Sequence, residues 1–364
     1  MKKIYFTVTN DLNYDQRMHR ICNSLAANGY TVHLIGLKRK NSPALLPKKF
    51  KQKRIRCWFS KGKIFYFEYN FKLFFYLLFK KIDAICAIDL DTIVPCFHIS
   101  KWKKIPRIYD AHELFTELKE VNRRPFVKKV WTKIEKRWVP KFPLGYTVSD
   151  GIAEELNKRY GVKYATIRNI PVLKNIDTKP AEEKFLLYQG AVNEGRGFEY
   201  LIPAMQQINA RLFICGDGNF MPQLQQLIQE NNVAEKIVLK GMMTPEALVQ
   251  FSQTAYIGIF TPENKGLNQY LALPNKFFEY IHATLPQITV GYPEYKKLNE
   301  TFHVAVFIEN LSPNHIAKTV NQLLNDATTY SQLKENCLKA KTILNWQEEE
   351  KKLLYFYSSI FKVE

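Results

Sequence analysis

The chain has 364 residues, 46% of them apolar and 14% aromatic, which supplies core for two domains of ordinary size. Its six cysteines, Cys22, Cys57, Cys86, Cys96, Cys215 and Cys337, include no C-x-x-C pair, so neither a zinc site nor a disulfide framework is suggested and a reducing cytoplasm fits best. The net charge of +19 is uneven: residues 1–180 carry 37 Lys and Arg against 15 Asp and Glu (+22), residues 181–364 carry 16 against 19 (−3), and the basic half calls for a polyanionic partner, nucleic acid or an anionic membrane face.

Met1-Lys2-Lys3 precedes an apolar run too short for a signal-peptide core; it reads as a first strand, Lys3 to Thr9. A polar loop to Asp15, a helix from Gln16 to Asn28 closed by Gly29, and a strand from Tyr30 to Leu37 follow. That order opens a doubly wound α/β domain, in which ligands meet the loops at the carboxyl ends of the strands. Asp15 and Arg17 stand at such an end, either as ligands or as a helix-terminal acid beside a solvated arginine. Residues 38–81 alternate basic clusters with aromatics, and part of them must be core. The most apolar stretch, Ile64 to Phe79, is broken by Glu68, Asn70 and Lys72 and falls short of the ~20 residues of a membrane span, so no crossing is expected.

Strands recur at Ala84 to Ile88 and Arg107 to Tyr109, the second running into Asp110-Ala111-His112-Glu113. A lone histidine is usually structural, but this one has carboxylates on both sides at a strand end, a favoured place for chemistry. A basic helix from Phe126 to Val139 leads to the strand Leu144 to Val148, and Ser149-Asp150-Gly151 caps a helix from Ile152 to Tyr160. The polar stretch Val172 to Lys184, with Pro180, reads as a linker between a domain of residues 1–171 and one of residues 185–345.

The second α/β series has strands at Phe185 to Tyr188, Arg211 to Cys215, Lys236 to Leu239, Tyr256 to Phe260 and Gln287 to Val290. Its helices are expected at Phe198 to Ile208, Pro222 to Asn231, Pro245 to Ser252, Asn275 to Ala283, Pro313 to Leu324 and Tyr330 to Leu344, with a last helix, 346–364, packing back on the first domain. Gly190 and Asn193-Glu194-Gly195-Arg196-Gly197 form a glycine-bearing loop where backbone can approach phosphate and Arg196 can grip it. Gly216-Asp217-Gly218 is a second tight turn at the same edge. In Leu273-Pro274-Asn275-Lys276-Phe277-Phe278-Glu279-Tyr280, Pro274 starts a helix whose first amides, those of Asn275, Lys276 and Phe277, would face an anion beside the Lys276 ammonium. One turn on, Glu279 is a carboxylate among apolar neighbours that needs donors such as ribose hydroxyls. Taken alone, this segment favours the plainer reading, an ordinary amphipathic helix with Glu279 in water.

In this order, Arg196-Gly197, Gly216-Asp217-Gly218 and Glu279 resemble the motifs of retaining glycosyltransferase family 4, also called glycosyl transferases group 1. Asp110-x-His112-Glu113 looks like that family's strand-end histidine motif, Val148-Ser149 like its later strand end, Asn169 like its asparagine before the linker, and Trp346 like the tryptophan ahead of its crossing helix. The resemblance spans nearly the whole chain and implies the α/β GT-B fold: two facing Rossmann-like domains with a cleft between them and a C-terminal helix crossing back. It departs in two places. Leu271 stands eight residues before Glu279, where the family has its first glutamate; Arg196 replaces the family's lysine, and Ala191 its arginine.

What the resemblance implies is transfer of a sugar from a nucleotide-sugar donor to an acceptor hydroxyl with retention, in cell-surface glycan or glycolipid synthesis. Arg196, Lys276 and the Asn275 amide would stabilise the diphosphate, Gly190 and Gly216 would let it approach, Glu279 would hold the ribose, and His112 would face the sugar and acceptor. Asp89-Leu90-Asp91 lies in the first domain and no D-x-D stands at a strand end of the second, so no metal and no cofactor besides the donor is expected. Partners would be the donor, a glycan or lipid-linked acceptor and an anionic membrane surface, the chain being cytoplasmic and peripheral at the inner face of the plasma membrane. The basic and apolar clusters Lys48-Lys49-Phe50-Lys51, Lys80-Lys81 and 123–129 motivate that attachment; otherwise Phe71 to Phe79 is a core helix and the lysines only solubilise. A nucleotide-sugar epimerase of the same fold is the alternative. A nucleic-acid-binding protein is a distant one, because the aromatics of 58–79 are not spaced along a polar groove, and no nucleic acid is expected.

Overall fold

The computed structural model describes residues 1–13, 15–174 and 183–361. Most of the expected linker, residues 175–182, lies outside them. The chain divides into two compact units, Met1–Asn169 with Glu348–Glu364, and Ile170–Gln347.

The first unit is built on a parallel sheet of β1 (Lys3–Thr7), β2 (Thr31–Lys38), β3 (Lys51–Arg56), β4 (Ala84–Ile88), β5 (Arg107–Ala111), β6 (Leu144–Thr147) and β7 (Ala165–Thr166), in the order β3-β2-β1-β4-β5-β6-β7. Its centre is covered on both faces, which is why β4 reads Ala-Ile-Cys-Ala-Ile with every residue buried. The edge strand β3, Lys-Gln-Lys-Arg-Ile-Arg, carries four cations; such edges repel pairing, and the same charges hide the strand from a hydrophobic reading of the sequence. Asp15 caps the Gln16–Ala27 helix by accepting the Met18 N–H at 3.0 Å. The C-terminal helix, Trp346–Phe361, places Leu353 and Tyr357 in this unit's core, where the Tyr357 hydroxyl lies 3.2 Å from that of Tyr146.

The second unit repeats the plan with β8 (Phe185–Gln189), β9 (Arg211–Cys215), β10 (Ile237–Gly241), β11 (Ile257–Phe260), β12 (Gln287–Val290) and β13 (Ala305–Ile308), in the order β10-β9-β8-β11-β12-β13. Both sheets reverse strand order beside their first strand, between β1 and β4 and between β8 and β11. The carboxyl edge at such a reversal is where doubly wound folds bind ligands.

Several elements went unread in the sequence: β3, β7, β13, and the helices Ile93–Lys103, Leu267–Leu271 and Pro293–Phe302, while the core helix allowed for at Phe71 to Phe79 is the second half of one that runs Gly62–Leu78. The helix expected from Phe198 to Ile208 stops at Ala204, where the Met205 N–H turns back to the Ile202 carbonyl beside Pro203. Asn275–His282 is helical from the expected first residue, with Pro274 as its cap residue. The Phe277 amide, expected to face an anion, donates instead to the Pro274 carbonyl at 3.1 Å, so the helix start presents one amide fewer than the sequence suggested.

Candidate active sites

In the second unit the residues singled out from sequence converge at the carboxyl edge of β8, β9 and β11. The chain leaves β8 through Gly190, whose φ of +108° suits glycine, and its N–H is held by the Cys215 carbonyl at 2.9 Å. A Cβ on Gly216 would run into the Gly190 carbonyl oxygen, and one on Gly197 into that of Thr261, so both glycines are required by close backbone approach. The loop is pinned further by the Val192 N–H to the Asp217 carbonyl and the Glu263 N–H to the Gly195 carbonyl.

Lys276, in the first turn of the Asn275–His282 helix, runs under this loop. Its ammonium lies 4.0 Å from the Tyr188 ring centre and 4.1 Å from that of Phe260, and it is buried. Among the described residues no carboxylate stands within 4.0 Å of it. Burial pulls its pKa well below the ordinary lysine value, Arg196 pulls it further, and Glu279 opposes them. Gly190 leaves the way to this charge open, since even a methyl there would sit only 3.4 Å from Nζ. Two cations close enough to repel, under a glycine loop and at a helix start, form a site whose electrostatics an anion would complete. Asn275 is exposed at the first helical position.

Glu279, one turn on, is neither fully buried nor solvated. Its Oε2 accepts from Gln189 Nε2 at 2.6 Å, while Gln189 Oε1 accepts from the Ser252 hydroxyl at 2.7 Å. This buried relay fixes the carboxylate's direction, and Tyr280 locks the same turn by donating its hydroxyl to the Leu187 carbonyl at 2.9 Å. Gln189 escaped the sequence reading because it ends an otherwise apolar strand; a polar residue at the last position of a buried strand was the available signal. Glu263 escaped too. It follows the end of β11, is buried, and pairs with Lys265 at 2.6 Å, so the loop edge does carry a carboxylate although Leu271 occupies the position eight before Glu279.

His112 belongs to the first unit, where it follows β5, one strand beyond the reversal between β1 and β4. Its Nε2 is 3.0 Å from Asp110 Oδ2, and its backbone N–H donates to Asp89 Oδ1 at 2.9 Å. Asp110 is fully buried and also accepts from Arg17 Nη2 at 3.0 Å, while Arg17 Nη1 reaches the Ile167 carbonyl at 3.0 Å. The solvated reading of Arg17 does not hold: it is buried within this network and paired with a protein carboxylate. Burial would lower the His112 pKa, but Asp110 and Asp89 overcome it and raise the value to about 9. Asp89 has a φ of +52°, a conformation that strains any residue with a side chain, and burial raises its carboxyl pKa. The side chain of His112 keeps 17% of its surface exposed, so the charged imidazole is oriented from behind and reachable from in front.

Two doubly wound units of this kind make up the GT-B class of glycosyltransferase fold. Solved structures of this fold match over the whole chain: sucrose-phosphate synthase of Thermosynechococcus elongatus (TM-score 0.80, 16% identity, 100% of both chains), Anabaena HepE in complex with UDP and glucose (0.76, 12%, 99% of this chain and 100% of that one) and WaaG, a glycosyltransferase of lipopolysaccharide biosynthesis (0.73, 14%, 99% and 100%). The model of glycosyl transferases group 1 matches residues 169–340 and that of glycosyltransferase family 4 residues 16–172, and the chain belongs to this family. It is 24% identical over 194 residues, half its length, to the α-D-kanosaminyltransferase of Streptomyces kanamyceticus. It is 31% identical over 112 residues, 28% of its length, to an α-N-acetylgalactosaminyltransferase of Campylobacter jejuni that acts on a diphospho-undecaprenol-linked sugar. These alignments span only 42% and 31% of the relatives' own lengths.

Proposed function

We propose that this chain moves a sugar from a nucleotide-sugar donor to an acceptor hydroxyl, with retention of anomeric configuration, in the synthesis of a cell-surface glycan or glycolipid. The observation that carries the reading is the Lys276 ammonium, buried between two aromatic rings beside Arg196 and without a carboxylate at contact distance. A nucleoside diphosphate supplies the missing anion. Transfer breaks the bond between the anomeric carbon and the diphosphate oxygen and forms one to the acceptor oxygen, which loses its proton. Charge grows on the leaving oxygen, and cations already in place stabilise that state more than the ground state.

In this reading Arg196, Lys276 and the Asn275 backbone meet the diphosphate without a metal, Gly190 and Gly216 allow its approach, and Glu279, aimed by Gln189, takes the ribose hydroxyls. His112 acts on the transferred sugar or the acceptor. The Streptomyces and Campylobacter relatives, both transferases, favour transfer over epimerisation. The acceptor is a glycan or lipid-linked sugar, and the basic first unit attaches the chain, in the cytoplasm, to an anionic membrane face. Mass spectrometry of the purified protein with a panel of UDP-, GDP- and other activated sugars tests the reading. An acceptor heavier by one sugar unit supports it, a donor isomerised without acceptor supports the epimerase, and failure to bind or consume any donor overturns it.

A further inference from the structure

The Gly62–Leu78 helix has two apolar faces, and only one of them is used. Phe65, Tyr69, Leu73 and Leu77, spaced four apart, are buried in the first unit. On the opposite side Phe67, Phe71 and Phe75, also four apart, are 72%, 54% and 45% exposed. These rings touch one another, at 6.0 Å between Phe67 and Phe71 and 4.7 Å between Phe71 and Phe75, forming a continuous ridge along a helix about 25 Å long. The sequence alternative, a core helix in this stretch, therefore accounts for one side only. Trp58, 83% exposed, lies beside it under the Lys72 ammonium at 4.0 Å.

The Gly62–Leu78 helix also meets the basic Pro125–Trp138 helix, through residues beside the ridge. Tyr66 packs edge-on against Trp131 with centres 5.1 Å apart, and Lys63 sits 4.1 Å over the exposed ring of Phe126. That second helix turns Lys129, Lys133, Lys136 and Arg137 to solvent. Exposed contiguous apolar surface of this kind marks an interaction site, and its cationic flank selects the partner.

We propose that the Phe67-Phe71-Phe75 ridge lies in the plane of an anionic lipid bilayer at the boundary between headgroups and acyl chains, with the lysines of the Pro125–Trp138 helix on the headgroup phosphates. This deepens the attachment reading above and does not depend on glycosyl transfer. Spanning is excluded for this helix because its other face is core, and among the described residues no helix is long and apolar enough to cross a membrane. A second copy fits worse, since a two-fold contact would set the same lysines against each other. Nucleic acid fits worse as well, because the rings stack on one another instead of standing apart for bases.

Sedimentation of the full chain with vesicles tests the assignment, using equimolar phosphatidylglycerol and phosphatidylcholine against phosphatidylcholine alone. The wild type is expected to pellet with the anionic vesicles only. The combined Phe67→Ser, Phe71→Ser, Phe75→Ser chain should lose roughly tenfold or more of that affinity with unchanged circular dichroism. Because that variant could misfold, brominated acyl chains in the same vesicles provide a second measurement: they should quench the wild-type tryptophan fluorescence, and Trp58→Phe should remove part of the quenching. Equal affinity of a folded triple variant overturns the ridge while leaving attachment by charge in place. No pelleting of the wild type at low salt overturns both. A dimer by light scattering that the triple variant dissolves would assign the ridge to a second copy, and so overturn the bilayer.

Discussion

Burial and the Arg196 guanidinium hold the Lys276 pKa well below that of ordinary lysine, with Glu279 opposing them, and an arriving diphosphate should raise it by supplying the opposite charge. Calorimetry should then show UDP or GDP binding weakened in Lys276→Met, and unaltered affinity in that folded variant would remove the diphosphate from Lys276. Arg196→Ala and Glu279→Ala should each weaken the same diphosphate by about 10- to 100-fold, the worth of a hydrogen bond to a charged group, without unfolding. His112 belongs to the other unit, and His112→Ala should depress transfer while leaving diphosphate affinity near wild type. Wild-type turnover in that variant would return the residue to a structural role. The same imidazole has a raised folded pKa, so its contribution to stability is complete below about 6.5, its unfolded value, and is lost as pH rises toward about 9. Denaturant midpoints should fall across that window, and less so in His112→Asn.

The glycine turns carry a prediction of their own. Gly197, with φ +80°, and Gly216 approach the Thr261 and Gly190 carbonyls too closely for any Cβ, so Gly197→Ala and Gly216→Ala should each lower stability by more than ~1 kcal/mol. They should also abolish diphosphate binding, because the displaced loop would close over Lys276. Thermal unfolding with and without UDP separates the two effects, and an alanine variant as stable as the wild type would contradict the close approach. Helix starts behave differently from turns. Asp15 and Ser149 cap as their sequence positions suggest, since a cap is decided within four residues. The Phe277 amide was lost to a local bond that no spacing rule reveals.

Across the whole chain, the last helix begins in the second unit and from Glu348 onward belongs to the first. Tyr357 is fully buried there against Tyr146, and Glu349 accepts the Arg168 N–H at 2.8 Å. Tyr357→Ala should therefore destabilise the first unit by about 3–5 kcal/mol, the cost of a large buried ring, as measured by its urea midpoint; a small change would show that the helix is an appendage. The α/β plan, the glycine loops, the helix at Pro274 and the family were legible in the sequence, because strand alternation, caps and glycine turns are fixed by residues near one another along the chain. Tertiary structure alone decided which groups meet. Gln189 and Glu279 are 90 residues apart, Arg17 and Asp110 are 93 apart. Glu263 is placed by the end of a strand rather than by the spacing of a motif. The ridge at Phe67 is the plainest case: a helix apolar all round shows no period, and only packing selects which face is core and which is left to solvent.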